Sequence, residues 1–66
     1  MNHQIEKMKK EYRVWAINNQ GASIDIGVFN TIQDGENESR AKLGKGWIVT
    51  IQNNMWGNVV REFKIR

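Results

Sequence analysis

The stretch "LGKGWIVTI", Leu43 to Ile51, has two readings that lead to different folds. Glycines that lead into a helix aim backbone amides at an anion, as a phosphate-binding loop does. Glycines that follow a helix only end it. The flanking residues decide. Upstream, "NTIQDGENESRAKLGKG" is the central helical candidate. Thr31 or Asp34 can cap it, acids crowd its first turn, and Arg40 and Lys42 fall in its last, an order that suits the helix macrodipole. Its apolar stripe is thin (Ile32, Ala41 and Leu43), and Gly35 is expected to weaken its start. Downstream, "WIVTIQ" is a β-branched run with Trp47, Val49 and Ile51 on one face. The glycines therefore have the wrong polarity for a phosphate loop. Gly44 or Gly46 is expected to be the left-handed residue that ends the helix.

Working outward, "YRVWAIN" (Tyr12 to Asn18) is rich in β-formers and stops at the turn cluster "NNQG". "ASIDIGVFN" then alternates, with Ala22, Ile24, Ile26 and Val28 on one face and Ser23, Asp25 and Gly27 on the other. The two read as a hairpin. After the helix, "WIVTIQ", the turn "NNMWGN" and "VVREFKIR" read as a second hairpin, with Val59, Phe63 and Ile65 in phase. The predicted fold is α+β in the order β-β-α-β-β, an antiparallel sheet of about four strands packed by one helix. Its expected core is Ile24, Ile26, Val28, Leu43, Trp47, Val49, Ile51, Val59, Phe63 and Ile65. Residues 12–66 form a single domain in this reading. Residues 1–11, with Ile5 and Met8 at helical spacing to Tyr12, form a short helix or a mobile basic arm.

A chain of 66 residues hides only ~60% of the surface its unfolded form exposes. Such domains commonly draw stability from disulfides, a metal or oligomerisation. The chain has no cysteine, and His3 is its one histidine. Disulfides and thiolate zinc sites are thus excluded, no cofactor or metal is expected, and tight packing or a homodimer remains. No apolar run approaches the ~18 residues of a membrane span, and "MNHQIEKMKKEY" lacks the apolar segment of a secretory signal, so a soluble, cytoplasmic protein is expected. The richness in Asn, Ile and Lys, with no Pro, fits an AT-rich genome such as that of a low-GC bacterium or its phage.

The formal charge is +3 and unevenly placed. Asp34, Glu36 and Glu38 form an acidic knot, whereas Ser39 to Arg66 carries six Lys or Arg against Glu62 alone, a local net charge of +5. A basic half favours an acidic partner, either nucleic acid or an acidic protein face. Catalysis has little to work with: nucleophilic chemistry needs a base beside an activated Ser, Thr or Cys, and only Asp25 with Glu62, or the acidic knot, offers a carboxylate pair. No enzyme activity is expected. For binding, single strands use basic grooves with stacking aromatics, and Trp and Arg also dominate protein hot spots. Trp47 reads as core and Trp56 as the exposed ring of a turn. Trp15 shares its strand face with Arg13 and Ile17, opposite Val14 and Ala16. The candidate binding residues are Arg13, Trp15, Lys45, Trp56, Lys64 and Arg66.

Two family resemblances bear on this reading. Gly27, Phe29 and Thr31, in "IGVFNT", resemble the Gly-x-Phe-x-Thr strand-to-helix step of the plant ethylene-response type of DNA-binding domain. That resemblance implies a sheet that reads the DNA major groove. Over a longer span, "EYRVW", "AKLGKGWIVTI" and "REFKIR" resemble a family of small uncharacterised bacterial domains with a Leu-Gly-x-x-Gly-Trp signature, here one residue shorter between Gly44 and Gly46. This second resemblance implies a sheet packed by one helix, with Leu43, Gly44, Gly46 and Trp47 as packing residues. The expectation that follows is a non-enzymatic binding module for nucleic acid, with a protein-binding modulator docking on an acidic face as the alternative.

Overall fold

The computed structural model describes residues 11–66, so the arm or short helix expected over residues 1–11 lies, but for Glu11, outside the described residues. Five elements follow in order: β1 (Tyr12–Ile17), β2 (Ser23–Phe29), α1 (Ile32–Lys42), β3 (Ile48–Asn53) and β4 (Val59–Lys64). The strands form one antiparallel sheet in the order β2-β1-β3-β4, with α1 packed on one face. This is the expected α+β fold. Each hairpin contributes one central and one edge strand, and β1 meets β3 at the centre from Tyr12↔Asn53 to Ile17↔Ile48.

The two hairpin turns are built alike. Asn18 Oδ1 accepts the backbone N–H of Gln20 at 2.9 Å and of Ala22 at 3.0 Å. Asn53 Oδ1 likewise accepts from Met55 at 2.9 Å and Trp56 at 3.0 Å. In each case a short amide side chain substitutes for the backbone acceptor that a tight reversal lacks.

Helix α1 is capped by Thr31, whose Oγ1 accepts the Asp34 N–H at 3.0 Å. Its end differs from expectation. The C-cap is Leu43 in an extended conformation (φ −114°), with its N–H on the Ser39 carbonyl. Gly46 takes the positive φ, 101°, in the turn that enters β3. Glycine there shapes the approach to the strand and plays no part in ending the helix.

Gly35 also differs from its expected role. It is buried, and a Cβ built on it would lie 2.8 Å from Val14 Cγ2 and 3.6 Å from both Ile51 Cδ1 and Phe29 Cδ1. The helix rests on the sheet through this missing side chain. Ser39, one turn on, is also fully buried and donates its hydroxyl to the Gly35 carbonyl at 2.8 Å. The inward stripe is therefore Ile32, Gly35, Glu36, Ser39 and Leu43, with helical period but mostly small or polar residues. Toward β4, Glu36 accepts a hydrogen bond from Arg61, and the Arg40 guanidinium sits 4.5 Å from the centre of the Phe63 ring. The helix thus lies chiefly over β2 and β1, and its Glu36 and Arg40 side chains reach across to β4.

Val14, Ala16, Val49, Ile51 and Ile65 are the buried core, with Tyr12, Ile26, Phe29, Ile32, Leu43, Trp47, Val60 and Phe63 packed against it. Three expected core residues fail, and two bulges explain much of it. In β2 the register passes from Val14↔Gly27 to Trp15↔Asp25, leaving Ile26 as the extra residue. Gly27 accommodates this with φ 141°. The bulge breaks the period-two reading, so Val28 falls opposite Arg13 on the open face while Ile24 falls opposite Ala16 on the helix side. Ile24 is still 43% exposed, at the end of β2 remote from the Phe29 end that leads into α1. In β4 the register passes from Ile51↔Arg61 to Gln52↔Val59, which makes Val60 the extra residue. Val60 packs inward, and Val59 is left 56% exposed.

Gly35→Ala tests the helix contact. Propensity alone favours Ala by about 1 kcal/mol, but a methyl forced against the stiff Val14 side chain costs about 1–3 kcal/mol. Urea denaturation is expected to give a net loss of stability, smaller in a Val14→Ala background. A more stable Gly35→Ala protein would show that the helix does not rest on this point.

Candidate functional site

The face of the sheet away from α1 has no covering element among the described residues. The registers arrange its side chains in three rows across the strands β2, β1, β3 and β4. The first row is Ser23, Ile17, Ile48 and Lys64; the second is Asp25, Trp15, Thr50 and Glu62; the third is Val28, Arg13, Gln52 and Val59. Trp15 lies in the middle row on a central strand and is half-buried. Thr50, flanked by Trp15 and Glu62, is only 8% exposed although it belongs to this face.

Around Trp15 the surface dips into a shallow depression of about 330 Å³ lined by Arg13, Trp15, Ser23, Ile24, Asp25 and Gln52. Arg13 reaches across to Asp25, with 3.4 Å between a terminal guanidinium nitrogen and one carboxylate oxygen, both side chains more than half exposed. The Gln52 amide donates to the Gly57 carbonyl at 2.7 Å, which leaves its oxygen free to accept.

A second depression of about 330 Å³ lies at the end of the sheet where β3 begins, lined by Lys45, Gly46, Lys64, Ile65 and Arg66. A short extension of the β3–β4 ladder holds it in shape. The Gly46 N–H donates to the Ile65 carbonyl at 2.8 Å, and the Ile65 N–H to the Trp47 carbonyl at 2.9 Å. This pairing sets Lys45 beside the segment that carries Lys64 and Arg66. Among the described residues none of these three cations has an acidic partner, whereas Arg13, Lys42 and Arg61 are paired with Asp25, Glu38 and Glu36.

The six sequence-predicted residues therefore fall into three groups. Arg13 and Trp15 share the depression on the open face. Lys45, Lys64 and Arg66 gather at one end of the sheet, with Lys64 also in the open face's first row. Trp56 is 77% exposed, as its turn position predicts, but it stands at the opposite end, in the β3–β4 turn. Sequence reasoning missed Ser23 and Gln52 as partners of Trp15, and it considered Asp25 only as half of a carboxylate pair with Glu62. The signal for Asp25 was the length of the "NNQG" turn, which sets the hairpin register, but the bulge at Ile26 hides the outcome. Asp25 and Glu62 lie on opposite edge strands, three strand spacings or ~14 Å apart, and do not form a pair. The acidic knot is drawn into bonds with Arg61 and Lys42 at Glu36 and Glu38.

Among the described residues there is no group of three or more His, Cys, Asp or Glu placed to hold a metal ion, and no helix long and apolar enough to cross a membrane. No protein-family model, no curated protein and no solved structure matches the chain.

Exposed ion pairs contribute ~0–1 kcal/mol to stability. Arg13→Ala and Asp25→Asn are accordingly expected to shift thermal denaturation by no more than the equivalent of about 0.5 kcal/mol. A larger loss in either variant would mean that the pair holds the hairpin together and does not simply line a surface.

Proposed function

We propose that the protein is a non-enzymatic binding module that holds single-stranded nucleic acid along the open face of its sheet. The observation that carries this reading is the cluster of Lys45, Lys64 and Arg66, unpaired among the described residues and fixed on a backbone ladder. It belongs to the same sheet as the accessible ring of Trp15. Lys64 and Trp15 are two strands and one row apart, a separation of ~12 Å by strand geometry that a short single strand bridges. In this arrangement a base stacks on Trp15 and neighbouring phosphates meet the cluster. Arg13 is held by one exposed contact, weak enough to be exchanged for a ligand.

A protein partner is the second reading, and one observation favours it. Asp25 and Glu62 occupy the ends of the Trp15 row, so the open face carries Arg13 and Lys64 against two acids and is electrically balanced. Balanced charge around a tryptophan, with Ile17, Ile48 and Val28 nearby, suits a protein hot spot.

Fluorescence anisotropy of a labelled oligonucleotide across a salt series separates the two. Three neutralised phosphates on a single strand give a log–log slope of about −2. Replacing Lys45, Lys64 and Arg66 together by Ala is expected to flatten it. Trp15→Ala is expected to weaken binding by about 1–3 kcal/mol with circular dichroism unchanged, and Trp56→Ala, at the far end, to leave it intact. If no oligonucleotide binds even at low salt, the nucleic-acid reading falls and the protein partner takes its place.

A further inference from the structure

The proposed strand-binding face also carries a means of choosing a base. Resting on that reading, the geometry points to guanine as the base selected by the Trp15 depression. Trp15 and Asp25 are direct cross-strand partners, so their side chains rise from the sheet ~5 Å apart at Cβ. A base stacked on the indole turns its edge toward whatever stands beside the ring, and single-stranded bases are read along that edge. Here the neighbour is the Arg13–Asp25 pair, and its order of hydrogen-bonding groups is informative. Arg13 presents N–H donors and Asp25 two acceptor oxygens, so the pair offers donor, acceptor, acceptor. Cytosine presents that same order to its Watson–Crick partner through its amino group, ring nitrogen and carbonyl. The complement is acceptor, donor, donor, which is guanine's O6, N1–H and N2 amino group.

The contacts already made leave this edge available. Only one oxygen of Asp25 and one terminal nitrogen of Arg13 meet, at 3.4 Å, and both side chains are more than half exposed. The other carboxylate oxygen and the remaining guanidinium N–H groups are free to turn toward a ligand. The Gln52 oxygen, left as an acceptor by the bond from its amide to Gly57, adds to a rim that favours a ligand rich in donors. Adenine, cytosine and thymine each offer the pair at least one mismatched group, an acceptor against a carboxylate oxygen or a donor against Arg13. At about 330 Å³ the depression is at the small end of ligand sites, ~300–1,000 Å³, the scale of one base and its sugar. Asp25, which a purely electrostatic surface would be better without, gains a purpose in this arrangement.

The test uses nine-nucleotide oligothymidylates with a central dG, dA, dC, dT or deoxyinosine, measured by anisotropy with the full chain. The dG strand is expected to bind about tenfold tighter than the dA, dC and dT strands, the discrimination of one good bidentate contact. Deoxyinosine, which lacks the N2 amino group, is expected to fall between. Asp25→Asn should erase the dG preference, bringing the dG strand to the affinity of the dA, dC and dT strands in the same variant. Equal binding of all five strands, or a preference that survives Asp25→Asn, overturns guanine selection and leaves strand binding standing. Binding by none of them removes strand binding itself. Guanosine monophosphate as competitor should be far weaker than the dG strand, because it reaches no neighbouring cations; equal potency would mean that the ligand is a free nucleotide and would overturn selection within a strand.

Discussion

Gly35 has no side chain, and the Val14 Cγ2 methyl stands where one would begin. Because the helix comes this close, Val14 and Ile51, the central pair of β1 and β3, are sealed from water at the middle of the sheet. Ser39 continues the close approach, its hydroxyl satisfied within the helix, so that a helix with almost no apolar stripe can still exclude solvent. The seating also places Glu36 against Arg61 and Arg40 over Phe63. A core of this size has little apolar area to spend, and short distance makes up for it, since dispersion falls off steeply with separation. The same placement leaves the other face of the sheet uncovered by any described element.

The order and type of the elements were legible because period-two and helical patterns alternate cleanly between turn clusters. The face assignments were only partly so. Val49, Ile51 and Ile65 kept their expected places, and Trp47, Leu43 and Phe63 packed against the core as read. Val28 and Val59 did not, because an extra residue in an edge strand moves the residues beyond it out of the expected phase, whereas Ile24 kept its face but stayed exposed at the end of its strand. Gly27 was the one visible sign of the bulge in β2, and nothing comparable marked the bulge at Val60. Gly35 misled for a different reason. Propensity is a property of the isolated helix, whereas its role here depends on a valine that belongs to another element.

For the surface, sequence could name residue types suited to binding but not their neighbours. Arg13, Lys64 and Arg66 looked alike as cations on strands. In three dimensions Arg13 is engaged by Asp25, while Lys64 and Arg66 join Lys45 with no acid among the described residues to quench them. That distinction comes from β1–β2 and β3–β4 registers and from the Gly46–Ile65 pairing, which brings together residues distant in the chain. Trp56 was correctly read as exposed, and its distance from the other candidates follows only once the strands are ordered.

The central seam of the sheet joins β1 to β3, elements separated in the chain by β2 and the whole of α1. Each hairpin alone is a two-stranded ribbon, and such ribbons are marginal in water. Neither can bury Val14, Ala16, Val49 or Ile51 until the other arrives, so the apolar reward comes only after the long loop between them has closed. A chain still being synthesised would hold its first hairpin and helix without a finished core until β3 emerged. The central seam is thus a long-range closure, the kind of contact whose entropy must be lost before its burial is gained and which slows folding even in a short chain.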